Sequence, residues 1–186
     1  MRTLINDLLE YSRTTDKSSG FEKTDLNAIV DHVKEELQEE LKDKKASLER
    51  NELSEAIVIP FQFRQLMYNL ISNSLKFSKP GVPPHITVTG SAIKDGKTVQ
   101  PFLEKGGYYH INVSDNGIGF DPEYKDRIFD IFQRLHVTEE YRGTGIGLAI
   151  VKKIVDNHNG FITAEGEPGK GARFNIYLPV GPEISK

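Results

Sequence analysis

The chain has 186 residues, 37% of them hydrophobic and 27% charged, which suits one globular domain with a short appendage. A net charge of -3 gives no electrostatic reason to expect nucleic acid, and the absence of cysteine excludes disulfides, thiolate metal sites and cysteine nucleophiles while fitting a cytoplasmic setting. No apolar run approaches the roughly 20 residues that span a bilayer, and no signal-peptide pattern stands at the start.

Residues 1–13 carry Leu4, Ile5, Leu8 and Leu9 on one helical face. Such a helix is marginal alone and calls for a partner, a frayed terminus being the plainer alternative. Thr14 to Gly20 (TTDKSSG) reads as a linker. Thr24 and Asp25 are cap candidates for a second helix, in which Leu26, Ile29, Val30, Val33, Leu37 and Leu41 recur at helical spacing. Lys34, Glu35, Gln38, Glu39 and Lys42 form its solvated face.

Short strands are expected over Ala46–Glu49 and Ala56–Ile59. Pro60 starts a third helix that turns Phe63, Leu66, Met67, Leu70 and Ile71 to the core, and KPGVPP stops it. HITVTGSAI and YYHINVSD alternate as strands, and the insertion from Ser91 to Gly107 reads as a hairpin extension. DPEYKDRIFDIF is expected to be helical, and the polar, glycine-rich HVTEEYRGTGIG reads as a mobile loop. A last helix, about Gly145 to His158, stops at Asn159-Gly160, and FITAEGE and ARFNIYLP close the domain as strands. This order favours an α+β fold, a two-layer sandwich with a mixed, mostly antiparallel sheet packed on helices, over a doubly wound parallel one.

Four features carry candidate chemistry. In Asn69-Leu-Ile-Ser-Asn73-Ser-Leu-Lys76-Phe77, two amides four residues apart share a helix face beside a lysine. Hard amide oxygens with a nearby cation suit Mg²⁺ bridging phosphates, although the same pattern alone reads more readily as a polar surface stripe. Asp115-Asn-Gly117-Ile118-Gly119-Phe120 ends a strand with a carboxylate able to accept from an exocyclic amine, beside glycines that admit a flat ligand; alone, it is also a plain turn. Gly143-Thr144-Gly145-Ile146-Gly147-Leu148 runs into a helix and offers backbone N–H groups to an anion. Its G-x-G-x-G spacing is neither the dinucleotide fingerprint nor a Walker loop. Gly169-Lys-Gly171-Ala-Arg-Phe174 turns into the closing strand.

In this order and spacing, the four resemble the N box, glycine boxes and final strand of the GHKL ATPases, the group of histidine kinases, gyrase, a heat-shock chaperone and mismatch-repair ATPases, over residues 21–180. The run from Ile128 to Ile150 (IFDIFQRLHVTEEYRGTGIGLAI) is similar to the F box, lid and glycine box of sensor histidine kinases, and of the phytochrome-like branch in particular. The resemblance implies the Bergerat ATP-binding fold, with ATP and Mg²⁺ bound. Asn73 would ligand the ion with Asn69 in support, Lys76 would reach a phosphate and Phe77 would line the adenine pocket. Asp115 would take the adenine amino group against a wall shaped by Gly117, Ile118 and Gly119. Gly143, Thr144, Gly145, Ile146, Gly147 and Leu148 would form the phosphate-side loop, Phe132 would anchor the lid and Arg134 would touch the terminal phosphate.

Two departures stand out. Ala172 and Arg173 follow the last glycine where relatives often carry a hydroxyl, and Asn69 stands where hydrolysing relatives carry a glutamate base. The second argues for transfer to a protein nucleophile over ATP hydrolysis.

Family acceptor histidines are usually followed by an acidic residue, but His32, His85, His110, His136 and His158 are followed by Val, Ile, Ile, Val and Asn. His158, near a helix end, reads as a favourable charge–dipole position. The expected organisation is a remnant of a dimerisation helix plus linker at 1–20, a catalytic ATP-binding domain at 21–181 and a tail at 182–186, with the acceptor histidine absent. The expected partners are the acceptor-histidine hairpin of a parent kinase, a response regulator downstream and a weak homodimer through residues 1–13, with no nucleic acid. A GHKL-type ATPase or serine kinase and a non-catalytic nucleotide-binding scaffold are the competing readings.

Overall fold

The computed structural model describes residues 20–94, 107–133, 135 and 143–180. The helix expected over 1–13, most of the linker and of the 91–107 insertion, Arg134, His136 and the 182–186 tail lie outside them.

Strand β1 (Glu22–Asp25) leads directly into helix α1 (Leu26–Glu36), where the Asp25 carboxylate caps the first turn by accepting from the Asn27 N–H at 2.9 Å. Leu26, Val30 and Val33 line its buried face. The helix breaks at Leu37 and resumes as α2 (Gln38–Asp43), so the single helix expected there is two. Its apolar face is unbroken, since Leu37 and Leu41 are both buried.

Strands β2 (Ser47–Arg50) and β3 (Glu55–Val58) precede α3 (Pro60–Lys76), where Pro60 occupies a position that needs no N–H donor. β1 and β3 form a two-stranded antiparallel sheet. β4 (His85–Ile93) and β5 (Tyr108–Asp115) pair antiparallel out to Ile93 opposite Tyr108, as a hairpin requires. Helix α4 (Gly147–Asn157) is followed by β6 (Phe161–Glu167) and β7 (Gly171–Pro179). Asn159, at φ 53°, makes the left-handed stop that Asn-Gly led us to expect.

The main sheet runs β2-β4-β5-β7-β6, with β2 parallel to β4 and all other pairs antiparallel. Alternation sends Ile86, Val88, Ile111, Val113, Ile162, Phe174 and Ile176 to one face, where they form a single core with Val30, Phe63, Leu66, Met67, Leu70, Ile150 and Ile154 of the helices. The opposite face mixes polar residues with a small second cluster of Tyr108 and Tyr177, against which Ile93 and Phe161 pack. There the buried Asn175 accepts from Asn112 at 2.9 Å and contacts the His110 ring at 3.0 Å, which satisfies its amide oxygen. The result is the two-layer sandwich that the pattern of elements predicts.

Two further expectations fail. DPEYKDRIFDIF forms two single 3-10 turns, Pro122–Tyr124 and Arg127–Phe129, in place of a helix. Asp121 caps the first turn from its side chain, and Ile128 alone of this stretch is buried, so no continuous apolar stripe holds a longer helix to the core. His158 is no exposed cation at a helix end. It is buried, its Nδ1 donates to the Ile154 carbonyl at 2.7 Å and its Nε2 accepts from the Ile59 N–H at 3.0 Å, so both nitrogens are satisfied by the neutral ring. Burial holds its pKa below the usual imidazole value, which is the opposite of a charge–dipole stabilised histidine.

Candidate functional site

The cavity lies where the C-terminal half of α3, the end of β5, the start of β7 and the N-terminus of α4 meet, and its volume is about 280 Å³. Helical spacing puts Asn69 and Asn73 on one face of α3. Asn69 Nδ2 donates to the Gln65 carbonyl at 3.0 Å, which turns its amide oxygen towards the first turn of α4. A Cβ built at Gly147 would stand 3.3 Å from that oxygen, so the two helices approach there with no room to spare. α4 starts without a side-chain cap, and Gly147 and Leu148 of its first turn line the cavity. Lys76 crosses from the end of α3 to Gly143, its ammonium lying 4.8 Å from the centre of the Phe77 ring. A hard amide oxygen, a lysine and an uncapped helix N-terminus thus converge on one end of the cavity, a set suited to a phosphate chain with Mg²⁺.

At the other end stands Asp115, the last residue of β5, on its core-facing side. Its Oδ1 accepts from the N–H of Gly117 at 2.8 Å and of Ala172 at 3.2 Å, and its Oδ2 accepts from the Ser74 hydroxyl at 2.9 Å. Burial pushes this carboxyl above the usual carboxylate range, and the Gly117 N–H, the Ser74 hydroxyl, the Ala172 N–H and the charge of Lys79 each pull it part of the way back. Phe120, Ile128, Leu135, Leu148 and Phe174 complete an apolar wall around the carboxylate. A flat heterocycle with one exocyclic amine matches that combination of apolar walls and a single acceptor.

Of the residues singled out in the sequence, Asn69, Asn73, Lys76, Phe77, Asp115, Gly119, Gly143, Thr144, Gly145, Gly147 and Leu148 line this one cavity. Gly117, Ile118, Phe132 and Ile146 do not. Gly117 and Ile118 sit behind the wall, the N–H of Ile118 bonding the Phe77 carbonyl at 2.9 Å, and Ile146 is buried in the core. Gly119, at φ 66°, lies so close to the Glu167 carbonyl that no side chain fits. Phe132 is exposed, at φ 65°, and its N–H donates to the Gly145 carbonyl at 2.9 Å. Gly145, at φ 73°, packs on that backbone, so the glycine loop and the Phe132 segment are tied together.

Ser74 and, apart from Leu148, the apolar wall escaped the sequence reading. Ser74 had a signal, because it falls four residues after Leu70 and three after Ile71, a polar group on an apolar helical face. Phe120, Ile128 and Phe174 had none, since any core carries such residues.

Residues 59–182 match the family described as Histidine kinase-, DNA gyrase B-, and HSP90-like ATPase. The chain is 36% identical over 181 residues to the Phytochrome-like protein Cph1 of Synechocystis sp., an alignment that covers 97% of this chain and 22% of that protein. It is 32% identical over 186 residues to the Sensor protein kinase WalK of Staphylococcus saprophyticus, covering 96% of this chain and 28% of that one. Among solved structures, full-length ShkA in complex with AMPPNP aligns with a TM-score of 0.73 at 26% identity, over 95% of this chain and 35% of that chain. The chain therefore spans about a quarter of the length of these curated relatives.

Proposed function

The chain belongs to the histidine kinase-, DNA gyrase B- and HSP90-like ATPase family, and from that premise we propose that it binds Mg·ATP in the cavity and passes the γ-phosphoryl group to a protein histidine, as the catalytic domain of a two-component sensor kinase. The observation that carries this reading is the pairing of a polar, cationic end with an apolar end holding one buried carboxylate. Asp115 receives the adenine amino group, and Phe120, Phe174 and Leu148 enclose the ring. Lys76 and the uncapped N-terminus of α4 hold the phosphates, and the amide oxygens of Asn69 and Asn73 would hold Mg²⁺, whose charge neutralises the phosphate oxygens when bound. Arg134, which lies outside the described residues, would reach the terminal phosphate.

Transfer follows from what the site lacks as well as from what it holds. An imidazole nitrogen attacks the γ-phosphorus, the bond from that phosphorus to the β–γ bridging oxygen breaks, and ADP leaves with the electron pair. Asn69, an amide, abstracts no proton from water, so hydrolysis goes unassisted at that position. None of the four described histidines lines the cavity, which supports an acceptor on another polypeptide segment. On this reading the partners are an acceptor-histidine hairpin that dimerises and a response regulator. Residues 1–13 would contribute to the dimer contact. Among the described residues no helix is long and apolar enough to cross a membrane, and a cytoplasmic site of action fits ATP as the phosphoryl donor.

The test is to incubate the chain with Mg²⁺ and γ-labelled ATP beside a separate hairpin protein carrying an acceptor histidine. Acid-labile, base-stable label on the hairpin is the expected result. Nucleotide binding without transfer would leave a scaffold, and rapid phosphate release without a labelled protein would make the chain an ATPase.

A further inference from the structure

Ser74 follows Asn73 on α3 and is therefore rotated about 100° from it, towards the sheet. It is 3% exposed, among Leu70, Ile71 and Leu75. Its hydroxyl lies 2.9 Å from Asp115 Oδ2 and 3.2 Å from the Leu70 carbonyl, and its single proton goes to the charged and nearer partner. Serine inside a helix is a poorer former than alanine, so the helix itself gains nothing from this side chain.

Asp115 Oδ1 is taken up by two backbone donors, the N–H groups of Gly117 and Ala172. Ser74 is the one side-chain donor to the carboxylate among the described residues, because Ala172, across the cavity, offers it no hydroxyl. We propose that Ser74 is a positioning and specificity residue of the base site, whose hydroxyl keeps Asp115 an acceptor-only carboxylate and so selects a 6-amino purine over a 6-oxo purine. The inference rests on the reading of the cavity as an adenine-nucleotide site.

The chemistry is a matter of which atom holds the proton. An ionised Asp115 accepts from the amine of adenine and repels the carbonyl of guanine, whereas a protonated Asp115 donates to that carbonyl and loses the amine's best acceptor. Burial favours the protonated form, and the donors from Ser74, Gly117 and Ala172 oppose it. Among the described residues, the charged groups that act on Asp115 or share its cavity are Lys79, which acts on it directly, and Lys76, which lines the same cavity. Facing it from the other elements are Ile86 of β4, Ala172 and Phe174 of β7 and Leu148 of α4, none of them ionisable. Removing the Ser74 hydroxyl therefore shifts proton uptake to higher pH, with no other side-chain donor to compensate among the described residues.

The experiment uses the full chain, wild type and Ser74→Ala, titrated calorimetrically with non-hydrolysable ATP and GTP analogues and Mg²⁺ at about pH 8 and about pH 5.5, with circular dichroism confirming the fold at each. At the higher pH, where ionisation of Asp115 is most favoured, the variant binds the ATP analogue within about threefold of wild type. At the lower pH it binds about tenfold weaker or worse than wild type, and its preference for ATP over GTP falls by a similar factor. Equal losses at both pH values would reduce Ser74 to packing and overturn the proposal, as would no loss at either. A folded wild type that binds neither analogue at about pH 8 would instead remove the adenine reading itself, and this proposal with it.

Discussion

Replacing Asp115 by asparagine should separate the proposed binding role of this carboxylate from its role in the fold. The substitution is isosteric, and the amide oxygen still accepts the N–H groups of Gly117 and Ala172, at 2.8 Å and 3.2 Å from Oδ1 in the structure. The amide nitrogen takes the place of Oδ2, and Ser74 accommodates it by turning its proton to the Leu70 carbonyl 3.2 Å away. The fold therefore keeps its hydrogen bonds, but the base pocket presents a donor where adenine also presents one. Losing a charge-assisted hydrogen bond and leaving a buried donor unpaired together cost about 3 kcal/mol, or about two orders of magnitude in the dissociation constant of an ATP analogue.

Stability should move the other way. Because burial raises the Asp115 pKa, the folded state binds a proton more tightly than the unfolded chain does. Between the unfolded value near 3.8 and the raised folded value, stability falls as pH rises, and at neutral pH the ionised group is a net cost. Asp115→Asn should accordingly melt at the same temperature as wild type or higher at pH 7, while calorimetric titration shows the affinity loss. Affinity within threefold of wild type would refute the placement of the base, and a large fall in melting temperature would refute the account of the carboxylate's hydrogen bonds.

The neutral, buried His158 makes a second pH signature with its own sign. Its folded pKa lies below the unfolded 6.5, so its contribution is fully present above about pH 6.5 and is lost as pH falls towards the folded value. Thermal melts from pH 7 to 5 should show this loss, and His158→Leu should abolish the His158 part of it while leaving the Ile59 N–H unpaired, at a cost of about 1–3 kcal/mol. Gly119→Ala sets a Cβ against the Glu167 carbonyl at φ 66°; denaturant unfolding should register a loss of about 2–4 kcal/mol, and an unchanged midpoint would show that the turn yields freely. Asn73→Ala should leave the fold and metal-free nucleotide binding intact but remove the enhancement by Mg²⁺, a loss visible by titrating nucleotide with and without the ion; an enhancement retained in full would place the ion elsewhere.

Much of the site was legible because its chemistry comes in short segments. Asn69, Asn73 and Lys76 lie within three helical turns, and helical geometry alone puts the two amides on one face. Asp115 and Gly119 share one strand end and turn, and Gly143, Gly145 and Gly147 are near neighbours at a helix start. Ser74 was passed over because its role depends on a residue 41 positions away. The same limit explains His158, for which the sequence offered a helix end and the structure supplied a backbone N–H from 99 residues earlier. Residues 121–132 misled for a related reason. Their spacing permits a helix, but only packing stabilises a short one, and here the core buries Ile128 while Tyr124 and Phe129 are only partly covered.

Alone, then, the sequence determined the class of fold, most of the order of its elements and the local asparagine, aspartate and glycine motifs, because periodicity, caps and turn chemistry act over a few residues. Only the tertiary structure decided that these motifs face one cavity, that Phe120, Ile128 and Phe174 wall it, and that Ser74, Gly117 and Ala172 share the work of holding Asp115. Those facts depend on sheet order and on the packing of α3 and α4 against it. Contacts between distant segments are fixed by how whole elements bury their apolar faces together, and no local pattern encodes which residues then meet.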